Sequence, residues 1–340
     1  MNYESQRELI SPFHDALYDY DPATLRAAIA EVFSAQAEIH LCHPLGDLDS
    51  PLALLDIYAD LAAAMPDLER RETIRMAGRS LEDTDWVGVC GYYTGVMIAP
   101  WLDIPPTGHQ VAMRFHEFYQ VQDGKIVQMQ AIWDIPELMM QCNAWPMAPS
   151  LGRIWQVPGP ATQDGIQTGI RDSALSDQSL DRVTQMLSNL IKHDEEGLEG
   201  MDLAGSWHPK MNWYGPAGIG TNRGIQGFRH WHQIPFLKAM PDRKGTGGKG
   251  ILFADNQYVG VTGWPNMRMT LSGDGWMGIA PGNQALTMRS LDFWRCEGDV
   301  IRENWVTVDL LHVYDQLGVD VFERMRELTP QPINRGCLPG

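Results

Sequence analysis

One stretch of this chain occurs twice, and that repeat limits the fold more than any other feature. Trp101 to Asp134 reads WLDIPPTGHQVAMRFHEFYQVQDGKIVQMQAIWD, and Trp276 to Asp309 reads WMGIAPGNQALTMRSLDFWRCEGDVIRENWVTVD. At a constant offset of 175 residues, Trp101/Trp276, Pro106/Pro281, Met113-Arg114/Met288-Arg289, Glu117/Asp292, Phe118/Phe293, Tyr119/Trp294, Ile126/Ile301 and Asp134/Asp309 coincide without a gap. The same offset lays Ala64-Met65-Pro66-Asp67 on Ala239-Met240-Pro241-Asp242. Such a repeat is too long for a solenoid unit and has the size of a small domain. The chain therefore reads as two related domains in tandem.

Each copy places helices before strands. In the first, Leu9, Phe13 and Leu17 share one face of a helix predicted from Glu4 to Tyr18. Asp21-Pro22 opens a second helix running to about Phe33. A short strand follows over Ala37 to Cys42, and a third helix carries Leu54, Leu55, Tyr58 and Leu61. Strands are then predicted over Leu68 to Met76, Trp86 to Ile98, Gln110 to Gln122 and Lys125 to Trp133, the last two joined by an Asp123-Gly124 hairpin turn. The second copy repeats the order with a helix over Leu175 to Lys192, a strand over Trp207 to Tyr214, and a helix from Ile225 to Met240 interrupted at Pro235. Gly245 to Gly250 reads as a flexible tip, and Tyr258 to Trp264 opens the second run of strands. The class is α+β. The divisions are 1–142 for the first domain, 143–172 for a Pro-rich linker, 173–328 for the second domain and 329–340 for a tail.

With 44% apolar and 20% charged residues, the chain can fill two cores. Its formal net charge of −17 disfavours nucleic acid and anionic membranes, which need a clustered positive face. The five cysteines (Cys42, Cys90, Cys142, Cys296, Cys337) are scattered, with neither disulfide-framework nor zinc-ligand spacing. No apolar run approaches the ~20 residues of a membrane span, and the start MNYESQREL is unlike a signal peptide. A cytoplasmic location is the expectation.

Several stretches together resemble the SnoaL-like polyketide cyclases of the NTF2-like superfamily. They are His208-Pro209, Gly218-Ile219-Gly220, Gly224-Ile225-Gln226-Gly227-Phe228, Ala239-Met240-Pro241-Asp242, Asp123-Gly124-Lys125-Ile126-Val127 with Trp133-Asp134, and Trp305, Asp309 and Gln316-Leu317-Gly318. The second copy is the closer match. The resemblance implies three helices on a curved antiparallel sheet enclosing a conical apolar pocket. It also implies that the two sheets pair back to back as an internal pseudo-dimer, leaving room for further homo-oligomer formation. Strand alternation puts Met113, Phe115, Glu117 and Tyr119 on one face and Arg114, His116 and Phe118 on the other. Met288, Ser290, Asp292 and Trp294 likewise oppose Arg289, Leu291 and Phe293.

Family cyclases close a ring by an aldol step without metal or cofactor, using a His and an Asp on the two strands of the last hairpin. That pair falls on Glu117 and Ala131 in the first copy and on Asp292 and Val306 in the second, so the usual mechanism does not carry over. A carboxylate in an apolar cone can still act as a base, because burial raises its pKa. Asp292 is the leading catalytic candidate, with one of His232 and His230 lining the pocket as proton donor or, alternatively, both serving as packing histidines. His230 and His232 lie two apart on a helix and face different ways, so no metal site is expected. Substrate-binding candidates are His208, Asn212, Tyr214, Trp264, Met288, Trp294 and Asn304. A first-domain pocket would draw on His40, Glu117, Tyr119 and Trp133, while Asp134 and Asp309 read as helix N-caps. Two functions stay open: a cofactor-free cyclase, isomerase or dehydratase acting on a small hydrophobic carbonyl compound, and a non-catalytic binding or scaffold protein on the same fold.

Overall fold

The structure is a computed structural model that describes residues 3–246 and 251–328. Most of the predicted tip and the whole tail from Thr329 lie outside the described residues. The first domain opens with helices α1 (Tyr3–Leu9), α2 (Ser11–Tyr18) and α3 (Pro22–Val32). The single helix expected over Glu4 to Tyr18 breaks at Ile10, because Pro12 at the start of α2 has no N–H to continue the ladder. Asp21 caps α3 by accepting from Thr24 N, and the chain turns extended at Phe33. Strand β1 (Phe33–Leu41) thus starts earlier than expected, and β2 (Asp47–Leu48), α4 (Leu54–Ala64), β3 (Glu69–Arg79), β4 (Asp85–Val96), β5 (Gln110–Gln122), β6 (Lys125–Trp133) and α5 (Ile135–Gln141) follow. Asp123 and Gly124 both take positive φ (50° and 73°), giving the tight β5–β6 turn.

The second domain holds α6 (Ser173–Ile191), α7 (His193–Gly200), α8 (Leu203–Ser206), β7 (Trp207–Tyr214), β8 (Thr221–Arg223) and α9 (Gly224–Phe228). A π-helical turn, Arg229–Gln233, joins α9 to α10 (Ile234–Ala239). Pro235 explains it, since its ring displaces the carbonyl one turn earlier. Then come β9 (Lys244–Gly245), β10 (Ile251–Asp255), β11 (Tyr258–Leu271), β12 (Gln284–Glu297), β13 (Val300–Val308), α11 (Leu310–Gln316) and α12 (Val321–Leu328). Among the described residues no helix is long and apolar enough to cross a membrane.

The first sheet runs β2-β1-β6-β5-β4-β3, and the second β10-β11-β12-β13-β7-β8 with β9 beside β11. Neither is wholly antiparallel: β1 lies parallel to β6, and β7 parallel to β13. The long connection between those strands supplies the crossover that a parallel pair needs. Asp134 and Asp309 cap α5 and α11 through Glu137 N and His312 N.

The two sheets touch through their helix-free faces. Phe118 and Phe293 stack with centroids 4.8 Å apart. Each sits opposite a glycine on its own sheet, Gly88 and Gly260. A Cβ on Gly88 would lie 2.9 Å from the Phe293 ring, and one on Gly260 would lie 3.0 Å from Phe118. His116 Nδ1 donates to Leu291 O (2.7 Å). Asp134 accepts from Ala217 N (2.9 Å) and Asp309 from His43 N (3.1 Å), so each cap also takes a backbone N–H from the other domain. The segment between the domains lies across both: Val157 N donates to Tyr92 OH, and Pro158 O accepts from Trp305 Nε1.

Candidate functional site

On the helix-facing side of the first sheet, Glu117 is fully buried and fully partnered. Tyr93 OH (3.0 Å) and Trp133 Nε1 (3.0 Å) donate to Oε1. Tyr119 OH (2.5 Å) donates to Oε2, and Arg70 Nη1 lies 2.9 Å from the same oxygen. Burial pushes both phenols far up, so they remain protonated donors. Phe13, Phe33 and Tyr58 close edge-on around them. This space is filled by a satisfied polar network.

Asp292 holds the matching position, opposite Val306 as Glu117 is opposite Ala131. None of the four partners is retained. Strand pairing replaces Arg70 with Gly245, Tyr93 with Met267, Tyr119 with Trp294 and Trp133 with Val308. Asp292 keeps a hydrogen bond from Ser290, which itself accepts from Asn266 Nδ2 (2.5 Å). Its buried Oδ1 has no partner among the described residues. Burial raises the carboxyl pKa to about 8, against the smaller lowering effects of Ser290 and Arg114.

Other polar groups of this domain are buried and unpaired in the same way: Trp294 Nε1, Trp207 Nε1, His232 Nδ1 and Gln233 Oε1. Trp294 shares the strand face of Asp292, two residues on. His232 stacks on Trp213 with centroids 4.1 Å apart, and burial holds its imidazole down at about 3 and so neutral. Phe228, Phe236 and Trp276 extend that aromatic wall.

The structure separates the predicted residues. Asp292, Trp294, Met288 and His232 belong to the helix-facing side of the second sheet. Asn304 lies between Trp213 and Trp294, but its amide donates to Phe293 O and Trp305 O. His230 is exposed, with its ring against Trp231, because the π turn rotates it outward. Tyr214 points to the opposite face, where its hydroxyl donates to Glu303 (3.2 Å), and Asn212 sits beside it accepting from Arg223. Trp264 also lies on that face, under the Arg289 guanidinium at 4.5 Å. His208 contacts Arg302 at the start of β7. In the first domain Glu117, Tyr119 and Trp133 come together, whereas His40 pairs with Asp47 (2.8 Å) on the other face.

Sequence reasoning missed Arg70 and Tyr93, which settle the state of Glu117. It also missed Trp213, Phe236 and Asn266. The 175-residue offset does set Arg70 against Gly245, but nothing in the run Glu69-Arg70-Arg71-Glu72 shows which arginine turns inward. A depression of about 520 Å³ on the surface lies between α1 and the β5–β6 turn and includes none of these residues. Unpaired buried polar atoms are the better guide to chemistry here than surface concavity. Among the described residues no three His, Cys, Asp or Glu side chains converge as metal ligands would.

Residues 12–142 match the family model described as SnoaL-like polyketide cyclase. The match falls on the first copy, although the second carries more of the quoted motifs. A candidate SnoaL-like polyketide cyclase from Jannaschia sp. CCS1 is similar at 20% identity, over 41% of this chain and 93% of its own, with a TM-score of 0.35. IdmH, a candidate polyketide cyclase from Streptomyces antibioticus, is similar at 22% identity, over 40% and 96%, with a TM-score of 0.33. A third candidate polyketide cyclase, from Xanthomonas campestris pv. campestris, gives 16% identity, 41%, 98% and 0.34. No curated protein matches the chain.

Proposed function

We propose that the second domain of this SnoaL-like chain performs acid/base chemistry on a small, largely apolar carbonyl compound, with Asp292 as the base. The observation carrying this reading is the loss around Asp292 of every partner that fixes Glu117. A carboxylate held at both oxygens is poorly placed to exchange protons with a ligand, whereas one with a free oxygen and a pKa near neutrality can. The ionised carboxylate would take a proton from the carbon beside the carbonyl. Trp294 Nε1–H, unpaired on the same strand face, would donate to the developing enolate oxygen, with neutral His232 as a second polar group. The enolate carbon then attacks a second carbonyl to close a ring, is reprotonated at another carbon, or expels a β-hydroxyl as water. In each case the proton taken by Asp292 is returned, to the new alkoxide, to carbon or to the leaving oxygen, giving cyclisation, isomerisation or dehydration. These steps need no group beyond the side chains named.

The alternative, a non-catalytic scaffold, fits the first domain, whose helix-facing space is occupied by the Glu117 network. The two domains would then divide the work. The test is solvent deuterium exchange into a panel of cyclic ketones and β-dicarbonyl compounds, followed by NMR. Exchange should be catalysed by the parent and by Tyr119→Phe, and should fall about 10²–10⁴-fold in Asp292→Asn. Undiminished exchange in Asp292→Asn would remove the proposal.

A further inference from the structure

Arg114 belongs to the first domain and is 1% exposed, yet most of its side-chain hydrogen bonds are made to the second. Nη1 donates to Tyr214 O (3.0 Å), and Nη2 donates to Gly215 O (2.8 Å) and Val306 O (3.0 Å). Its ion pair with Asp134 is longer, at 3.4 Å. Tyr214 ends β7, and Val306 is the residue of β13 directly opposite Asp292. The guanidinium therefore ties the two adjacent strands together at the position behind the candidate base. A planar cation with several fixed donors suits a cluster of converging carbonyls, and a buried one is a permanent charge.

The repeat-related Arg289 does nothing comparable for the first domain. It pairs with Asp309 of its own domain (3.4 Å) and lies over Trp264. Of the two repeat-related arginines, the one that reaches across the domain boundary does so towards the domain whose carboxylate is unlocked.

We infer that Arg114 is a positioning residue of the second-domain site, supplied by the first domain: it fixes Val306 opposite Asp292 and sets a positive charge behind that carboxyl. This rests on the acid/base reading above. The strand residues paired with Asp292, Val261 and Val306, carry no charge. The helix side brings His232, which burial keeps neutral. Among the described residues Arg114 is accordingly the cation that acts on Asp292, and it favours the ionised form. The second site then depends on the first domain, which would explain why a domain with a filled interior is kept in the chain.

The experiment is a carboxyl titration of Asp292 by 13C NMR in the full-length protein, in the parent, Arg114→Met and Arg114→Lys. No substrate is needed. The parent should titrate near pH 8, Arg114→Met distinctly higher, and Arg114→Lys, which retains the charge, close to the parent. Thermal unfolding of each variant separates this from stability, since a merely structural arginine would lower the melting temperature of both without moving the titration. If Arg114→Met does not fold, Arg114→Gln serves as the uncharged variant. A parent midpoint near 8 that is unmoved in the uncharged variant overturns the role of Arg114 and leaves the acid/base reading standing. A parent midpoint in the ordinary carboxylate range overturns both.

Discussion

Gly245 stands beside Met267 where Arg70 stands beside Tyr93 in the other copy of the same sheet. That single difference removes the cation from the second interior, and with Tyr119 exchanged for Trp294 it strips the polar network from one carboxylate only. Two carboxylates stand at matching strand positions, opposite Ala131 and Val306. Their neighbours then made one a structural group and the other a candidate base.

If Asp292 works as a base, its activity follows its ionisation. With a pKa of about 8 only a minority is ionised at pH 7. Deuterium exchange measured as kcat/KM should rise with pH and level off above about 8. A profile already flat from pH 5 would mean that the base is some other group.

Trp294 offers a separate test. Its indole N–H is buried without a partner among the described residues, and Trp294→Phe removes the donor while keeping an aromatic ring. Loss of an enolate-stabilising donor should lower kcat by about 10²-fold. Stability should hold or improve, because an unpaired buried N–H disappears. Unchanged kcat would take Trp294 out of the site.

Much of this architecture was legible in the sequence, because strand alternation and an ungapped offset are local properties. They placed Glu117 and Asp292 on the helix-facing sides and Phe118 and Phe293 on the others. Failures came where a side chain's direction depends on a local break in the pattern. The irregularity between Gly263 and Met267 shifts the register and turns Trp264 to the outer face. The π turn carries His230 outward and leaves His232 inside. The four partners of Glu117 come from four strands and lie up to 63 residues apart, from Arg70 to Trp133, so no window of sequence shows them together.

The domain contact is tested at its glycines. Gly88→Ala puts a Cβ 2.9 Å from the Phe293 ring, and Gly260→Ala one 3.0 Å from Phe118. Each should cost about 1–3 kcal/mol in denaturant unfolding. Phe293→Leu combined with Gly88→Ala should recover part of the loss, with a non-additive cycle. Strict additivity would show that the two sites do not meet.

The asymmetry between the two carboxylates is tested most directly by the stabilities of Glu117→Gln and Asp292→Asn, measured by denaturant unfolding from pH 5 to pH 9. Glu117→Gln takes from the buried Arg70 its nearer carboxylate, at 2.9 Å, leaving it the longer contact with Glu72 at 3.4 Å, and should lose roughly 3–5 kcal/mol. For Asp292 the folded pKa lies above the unfolded value of about 3.9, so folding must hold the carboxyl protonated. That cost is absent below about pH 4, grows as the pH rises and is complete above about pH 8. Asp292→Asn carries no such cost, so it should be more stable than the parent by a margin that widens towards pH 8 and then stays constant. Opposite signs for the two variants are the predicted result. If Asp292→Asn instead loses stability as Glu117→Gln does, with no dependence on pH, Asp292 is a second structural carboxylate and the division between the domains is wrong.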